Sequence, residues 1–119
     1  MNPEIKKLWT DALTSGEFKQ GINGLLREED RHCCLGVLCE LHRRAFPGGE
    51  QWVLCGYSNV QCAGYGGEIS FLPDNVAQWA ELPENNPGVW IEDSDTCLSD
   101  LNDAGSSFAE IAKIIETQL

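Results

Sequence analysis

Cys33-Cys34-Leu35-Gly36-Val37-Leu38-Cys39 is the stretch whose reading decides the fold. It follows the charged, turn-like run Arg27-Glu28-Glu29-Asp30-Arg31-His32 and sets three cysteines among aliphatic residues. Wound as a helix, residues three and four apart share a face. Cys34, Leu35, Leu38 and Cys39 then cluster, with Leu41 and His42 on the next turn. Free cysteine packs as a small hydrophobe, and Gly36 lets a second backbone come close. The stretch predicts a helix wedged into a core, running from about Cys34 to Ala45 and stopped by Pro47-Gly48-Gly49. His42, Arg43 and Arg44 in its last turn suit the negative end of the helix dipole.

Upstream, Asn2 is an N-cap residue before Pro3 and Glu4. Ile5, Leu8, Trp9 and Ala12 recur at helical spacing until Ser15-Gly16. Phe18-Lys19-Gln20-Gly21 reads as an extended turn. Asn23 to Leu26 and Arg31 to Cys33 flank the acidic tip Glu28-Glu29-Asp30 and predict a short hairpin. Downstream, glycines punctuate three short strands, Trp52-Val53-Leu54, Val60-Gln61-Cys62 and Ile69-Ser70-Phe71. A third helix starts at Pro73 with Val76, Ala77, Trp79 and Ala80 on its apolar side, and Val89-Trp90-Ile91 reads as another strand. Cys97 to Asn102 makes a short helix capped by Gly105. Ser107-Phe108-Ala109-Glu110 is a capping box opening a last helix, whose buried stripe is Phe108, Ile111, Ala112, Ile115 and Leu119. The expected fold is α+β: a single compact domain over residues 1–119, with four to five helices packed around a small antiparallel sheet.

Nineteen acidic residues against eight basic ones give a net charge of −11. Such a field repels a phosphate backbone, which argues against general nucleic-acid binding. It leaves room for a small phosphorylated ligand held locally by backbone amides and one or two arginines. No apolar run approaches the ~20 residues that span a bilayer, and Met1 to Lys7 contains no signal-peptide apolar region. A cytosolic location is therefore expected, and with it free thiols at all six cysteines.

Four constellations could carry chemistry. His32, Cys33, Cys34, Cys39 and His42 offer zinc ligands, but no pair of cysteines has the two-residue spacing of a zinc knuckle, and buried helix cysteines explain them better. Cys33 near a helix start, with His32 or His42 as base, could be a nucleophile, yet no orienting partner or oxyanion donor stands out. Glu92 to Asp95 and Asp100, Asn102 and Asp103 miss the register of a calcium loop and read as solvated acidic loops. The aromatics are the fourth. Trp9 and Trp79 sit at helical spacing and belong to the core. Trp52, Tyr57 and Trp90 lie beside turns and are candidate pocket walls, with Arg27, Arg43 or Arg44 as a phosphate fork.

Two motifs carry a resemblance. Cys33-Cys34-Leu35-Gly36-Val37-Leu38-Cys39-Glu40-Leu41, preceded by Leu25-Leu26-Arg27, is one. The other runs from Leu98-Ser99-Asp100-Leu101-Asn102-Asp103-Ala104-Gly105-Ser106-Ser107 through Phe108-Ala109-Glu110-Ile111-Ala112. With Leu72-Pro73 and Val76 to Leu82 between them, this order is similar to small proteins of tailed bacteriophages and prophages, a family usually without an assigned function. Residues 46–70 lie outside the resemblance, and His32 stands where many members have an aromatic residue. The resemblance implies a counter-defence role in the host cytoplasm, as a sponge that holds a host nucleotide-type signal, such as a cyclic or modified ADP-ribose, without catalysis. On that reading no cofactor or metal is needed and a homo-oligomer is expected. The expected ligand-binding set is Arg27, Trp52, Tyr57, Trp90, Asn102, Ser106 and Ser107. Two alternatives remain: an acidic inhibitor covering the basic surface of a host defence protein, and a metal- or cysteine-dependent hydrolase of the same signal.

Overall fold

Asn2 accepts from the backbone N–H groups of Glu4 and Ile5 at 2.9 and 3.1 Å and so starts α1 (Pro3–Thr14) where the sequence predicts it. The computed structural model describes the backbone of residues 1–57 and 60–119 and the side chains of residues 1–55 and 62–119. After α1 come β1 (Lys19–Gln20), β2 (Arg27–Glu28), β3 (Arg31–His32) and α2 (Cys34–Ala45). Then follow β4 (Trp52–Tyr57), β5 (Val60–Tyr65) and α3 (Asp74–Ala80). The chain ends with β6 (Gly88–Ile91), β7 (Ser94–Cys97), α4 (Leu98–Asp103) and α5 (Phe108–Gln118). The described residues form a single α+β domain of five helices, a five-stranded sheet and a separate two-stranded hairpin.

Helix α2 is the centre of the core, and every residue from Cys34 to Glu40 is buried. The reason is visible at Gly36: a Cβ there would lie 1.8 Å from the carbonyl oxygen of Leu26. Only glycine allows the helix to seat on the strand that leads into β2. Trp9 of α1 is fully buried and donates its indole N–H to the Cys34 carbonyl at 2.9 Å, tying α1 to the start of α2. α1 also packs along α5, where Ile111, Ala112 and Ile115 face inward. The capping box at Ser107 and Glu110 forms as expected.

Four expectations change. The sheet order is β1-β3-β2-β5-β4, and β1 runs parallel to β3, so the sheet is mixed where an antiparallel one was expected. Phe18 to Gly21, expected as a turn, supplies that added strand because Lys19 and Gln20 pair with Arg31 and His32. Ile69 to Phe71 forms no strand: the Ile69 carbonyl accepts from Leu26, while Leu72 bonds to Asn85, so the backbone bonds go to separate partners. The acidic stretch after Ile91 is a hairpin and not a plain loop. Glu92 and Asp93 take positive φ at the turn, and β7 pairs antiparallel with β6.

The free-thiol expectation is also corrected. Cys55 and Cys62 stand opposite each other in the β4–β5 register, with Cα atoms 5.6 Å apart, and are joined by a disulfide. A hairpin brings two such residues within bridging distance whatever their compartment. Cys33, Cys34, Cys39 and Cys97 are free. Among the described residues, no helix is long and apolar enough to cross a membrane.

Candidate ligand-binding cleft

Pairing across the sheet brings Arg27 opposite His32 and also opposite Ala63 of β5, which faces Leu54 of β4. Trp52 lies two residues before Leu54, so the strand period puts it on the same face as Arg27 and His32. The last turns of α2 lie along this side and contribute Glu40, Arg43 and Arg44. The connection from α1 to β1 adds Glu17 and Phe18. These residues line a cleft of about 420 Å³, within the size range of small-molecule sites. Three of the chain's four arginines meet here, although the chain as a whole is strongly acidic.

Glu40 organises the floor. The residue is 8% exposed, and its carboxylate accepts from Arg43 Nε at 2.8 Å, Arg43 Nη2 at 2.7 Å, Arg44 Nε at 3.0 Å and Trp52 Nε1 at 3.0 Å. Burial pushes the Glu40 carboxyl up, but the hydrogen bonds from Arg43, Trp52 and Arg44 more than reverse this and hold it down at about 2. It is therefore ionised at any ordinary pH, and it fixes the Trp52 ring in the wall. The Arg27 guanidinium stands 5.5 Å from the centre of that ring, and the Arg44 guanidinium 5.4 Å from the centre of Phe18. Both are cation–π distances.

His32 closes the back of the cleft, edge-on to Phe18 at 5.2 Å and to Trp52 at 5.7 Å. Its Nδ1 is the one buried side-chain nitrogen or oxygen without a hydrogen-bond partner among the described residues. Burial, with the charge of Arg27 acting in the same direction, pushes its pKa down to about 4, so the ring is neutral at pH 7. A neutral imidazole supplies one donor and one acceptor. A polar group left unpaired inside a protein is uncommon, and at the wall of an open cleft it is within reach of water or of a bound molecule.

The expected site residues divide. Arg27 and Trp52 come together in the cleft. Tyr57 belongs to β4, and its side chain lies outside the described residues. Trp90 is 64% exposed on the separate β6–β7 hairpin, and its backbone is bridged to the Gln118 side chain at 2.8 Å in both directions. Asn102 is fully buried and its amide is spent within the protein: it accepts from Gln20 Nε2 and the Cys34 N–H and donates to the Gly21 carbonyl. Ser106 gives its carbonyl to Gln20 at 2.7 Å, and the Ser107 hydroxyl is engaged with Glu110 in the capping box. These last three residues hold α4 and α5 to β1 and α2, away from the cleft lining.

Glu40, Phe18 and Glu17 are cleft residues that the sequence did not mark as candidates, and His32 was marked only as a candidate zinc ligand or base. The spacing of Glu40 to Arg43 and Arg44, three and four residues along one helix, is the signal that would have found the first. The three helix cysteines are packing groups here. Burial pushes the Cys33 thiol up to about 11, and it raises Cys34 and Cys39 as well. The helix start near Cys33 therefore does not produce a thiolate at neutral pH. No group of three or more candidate metal ligands occurs among the described residues.

A domain family described as a domain of unknown function (DUF8296) matches the chain over residues 1–119. No curated protein and no solved structure matches it.

Proposed function

The chain belongs to this domain family of unknown function, and from that premise we propose that it is a binding protein that sequesters a small anionic, nucleotide-type ligand in the Arg27–Trp52 cleft without transforming it. The observation that carries the reading is the convergence of Arg27 and Trp52 with Phe18, and with a neutral His32 whose buried Nδ1 lacks a partner. An aromatic wall suits a planar base, worth ~1–3 kcal/mol per stacked ring, and guanidinium groups suit the phosphates. Retention without turnover draws support from the thiols, which burial keeps protonated. The resemblance to tailed-phage proteins extends the proposal to counter-defence in a host cytoplasm. On the same grounds, a homo-oligomer sharing the ligand between copies is the expected assembly.

Mass spectrometry of small molecules released by heat from protein purified out of infected or defence-expressing cells provides the test. A sponge releases an intact phosphorylated compound, and Arg27→Ala or Trp52→Ala abolishes its recovery. Recovery of a cleaved product points to a hydrolase. A second reading, occupation of a basic host-protein surface, draws on the net charge of −11. It gains if no phosphorylated compound shifts the melting temperature and a host protein co-purifies in a salt-sensitive way.

A further inference from the structure

The three arginines of the cleft are engaged differently, and among the described residues only Arg44 of the three pairs with an exposed carboxylate. Arg43 commits both Nε and Nη2 to Glu40, and Arg27 gives Nε to the Glu29 carbonyl at 3.0 Å while its guanidinium lies against Trp52. Arg44 spends only Nε on Glu40. Its outer edge, Nη1 and Nη2, forks onto the two carboxylate oxygens of Glu17, with Nη1 at 3.4 Å from Oε1. Two parallel donors on one edge are the pattern that recognises a phosphate or carboxylate.

The carboxylates differ in the same way. Glu40 is buried under four hydrogen bonds, and Asp30 is turned to Lys19 Nζ at 2.9 Å. Glu17 has a half-exposed side chain whose acceptors, among the described residues, serve Arg44 alone. It follows Gly16, which sits at φ +82° with open space where a Cβ would stand. Phe18 remains behind Arg44 and keeps the guanidinium in place if Glu17 swings away. An exposed ion pair of this kind is weakly held and exchangeable.

We propose that Glu17 and the anionic group of the ligand compete for the same edge of Arg44, so that binding proceeds by exchange of one oxyanion for another. This rests on the reading of the cleft as an anion-binding site and assigns Arg44 as the receiving fork. Glu17 is then a specificity-determining residue. It keeps out weakly charged compounds and admits only an anion that outbids a carboxylate, such as a phosphate monoester or pyrophosphate. The planar part of such a ligand reaches towards Trp52 and His32.

Calorimetric titration of pyrophosphate and of ADP-ribose into the full chain, at fixed ionic strength, reads the exchange directly. The proteins are the wild type, Glu17→Gln and Asp11→Asn. Asp11 pairs with Lys7 on the exposed side of α1, outside the cleft lining, so its variant matches the change in net charge. Glu17→Gln is expected to bind about fivefold more tightly than wild type, the gain from releasing one exposed ion pair and its repulsion. Asp11→Asn is expected to stay within about twofold, because a distant exposed charge is largely screened. Binding by the wild type with no gain in Glu17→Gln over Asp11→Asn overturns the exchange and leaves sequestration standing. Failure of all three proteins to bind either compound overturns both.

Discussion

The first half of α2, Cys34 to Cys39, is buried among aliphatic side chains and the Leu26 backbone, whereas Glu40, Arg43 and Arg44 in its second half form a charged floor beside Trp52. One rigid helix thus joins a core governed by volume to a cleft governed by charge. In the first half, the attraction is non-directional and any misfit is steric. In the second, a carboxylate with little access to water is stable only because four donors surround it. The two halves should therefore fail in different ways when altered.

The largest effect is expected at Gly36. In Gly36→Ala the new methyl would meet the Leu26 carbonyl oxygen at 1.8 Å, and the carbon behind it at 2.8 Å. Both atoms are backbone, so relief requires the helix and the strand to separate. The cost should reach or exceed the upper end of the ~1–3 kcal/mol usual for overpacking. Against a typical total of ~5–15 kcal/mol that is a large fraction. Urea denaturation should show the midpoint falling sharply, and an unchanged midpoint would mean that α2 does not approach Leu26 so closely.

The second half should break with a smaller loss of stability and a local change at Trp52. Glu40→Gln keeps the size of the side chain and removes its charge. Arg43 and Arg44 are partly exposed and can turn to water, so the expected loss is about 1–2 kcal/mol. The indole N–H of Trp52 should shift in the nitrogen–proton NMR spectrum, because the anion it donates to is gone. If Trp52 keeps its resonance while stability falls, Glu40 supports the core and not the cleft.

The same contrast explains what could be read from the chain. Cys34 to Ala45 was legible as a helix, and its tight approach was legible at Gly36, because burial writes itself into residue size and period. The caps at Asn2 and Ser107 were legible because they are local. The parallel pairing of Lys19 and Gln20 with Arg31 and His32 was not, since nothing in two-residue strands marks a distant partner. The Arg27–Trp52 pair was foreseen only as two separate candidates. Their meeting depends on the order β2-β5-β4, which no local pattern encodes. Asn102, Ser106 and Ser107 looked like ligand groups because polar residues at a helix start serve caps, hubs and anions with the same sequence pattern.

The smallest expected effect sharpens the comparison through pH. His32 has its folded pKa pushed down from 6.5 to about 4, first by burial and then by Arg27, with Glu40 pulling the other way and Arg44 adding a smaller push. A depressed histidine binds its proton more readily in the unfolded chain, so acid favours unfolding. The contribution is intact above about 6.5 and is lost progressively as the pH falls towards 4. Between about pH 7 and 5.5 the loss should be about 1 kcal/mol. His42, also lowered by burial, adds to the slope with the same sign. His32→Phe keeps a ring against Phe18 and Trp52 but cannot titrate, so it should flatten most of this slope while leaving the midpoint at pH 8 nearly unchanged. Chemical denaturation across that range measures both quantities. A bound anion at Arg44 would raise the folded His32 pKa by adding negative charge, so pyrophosphate should shorten the slope from its acid end and reduce the total loss in wild type, and should change His32→Phe less. A slope unaffected by pyrophosphate would separate His32 from the ligand and reduce it to part of the core that the cleft merely borders.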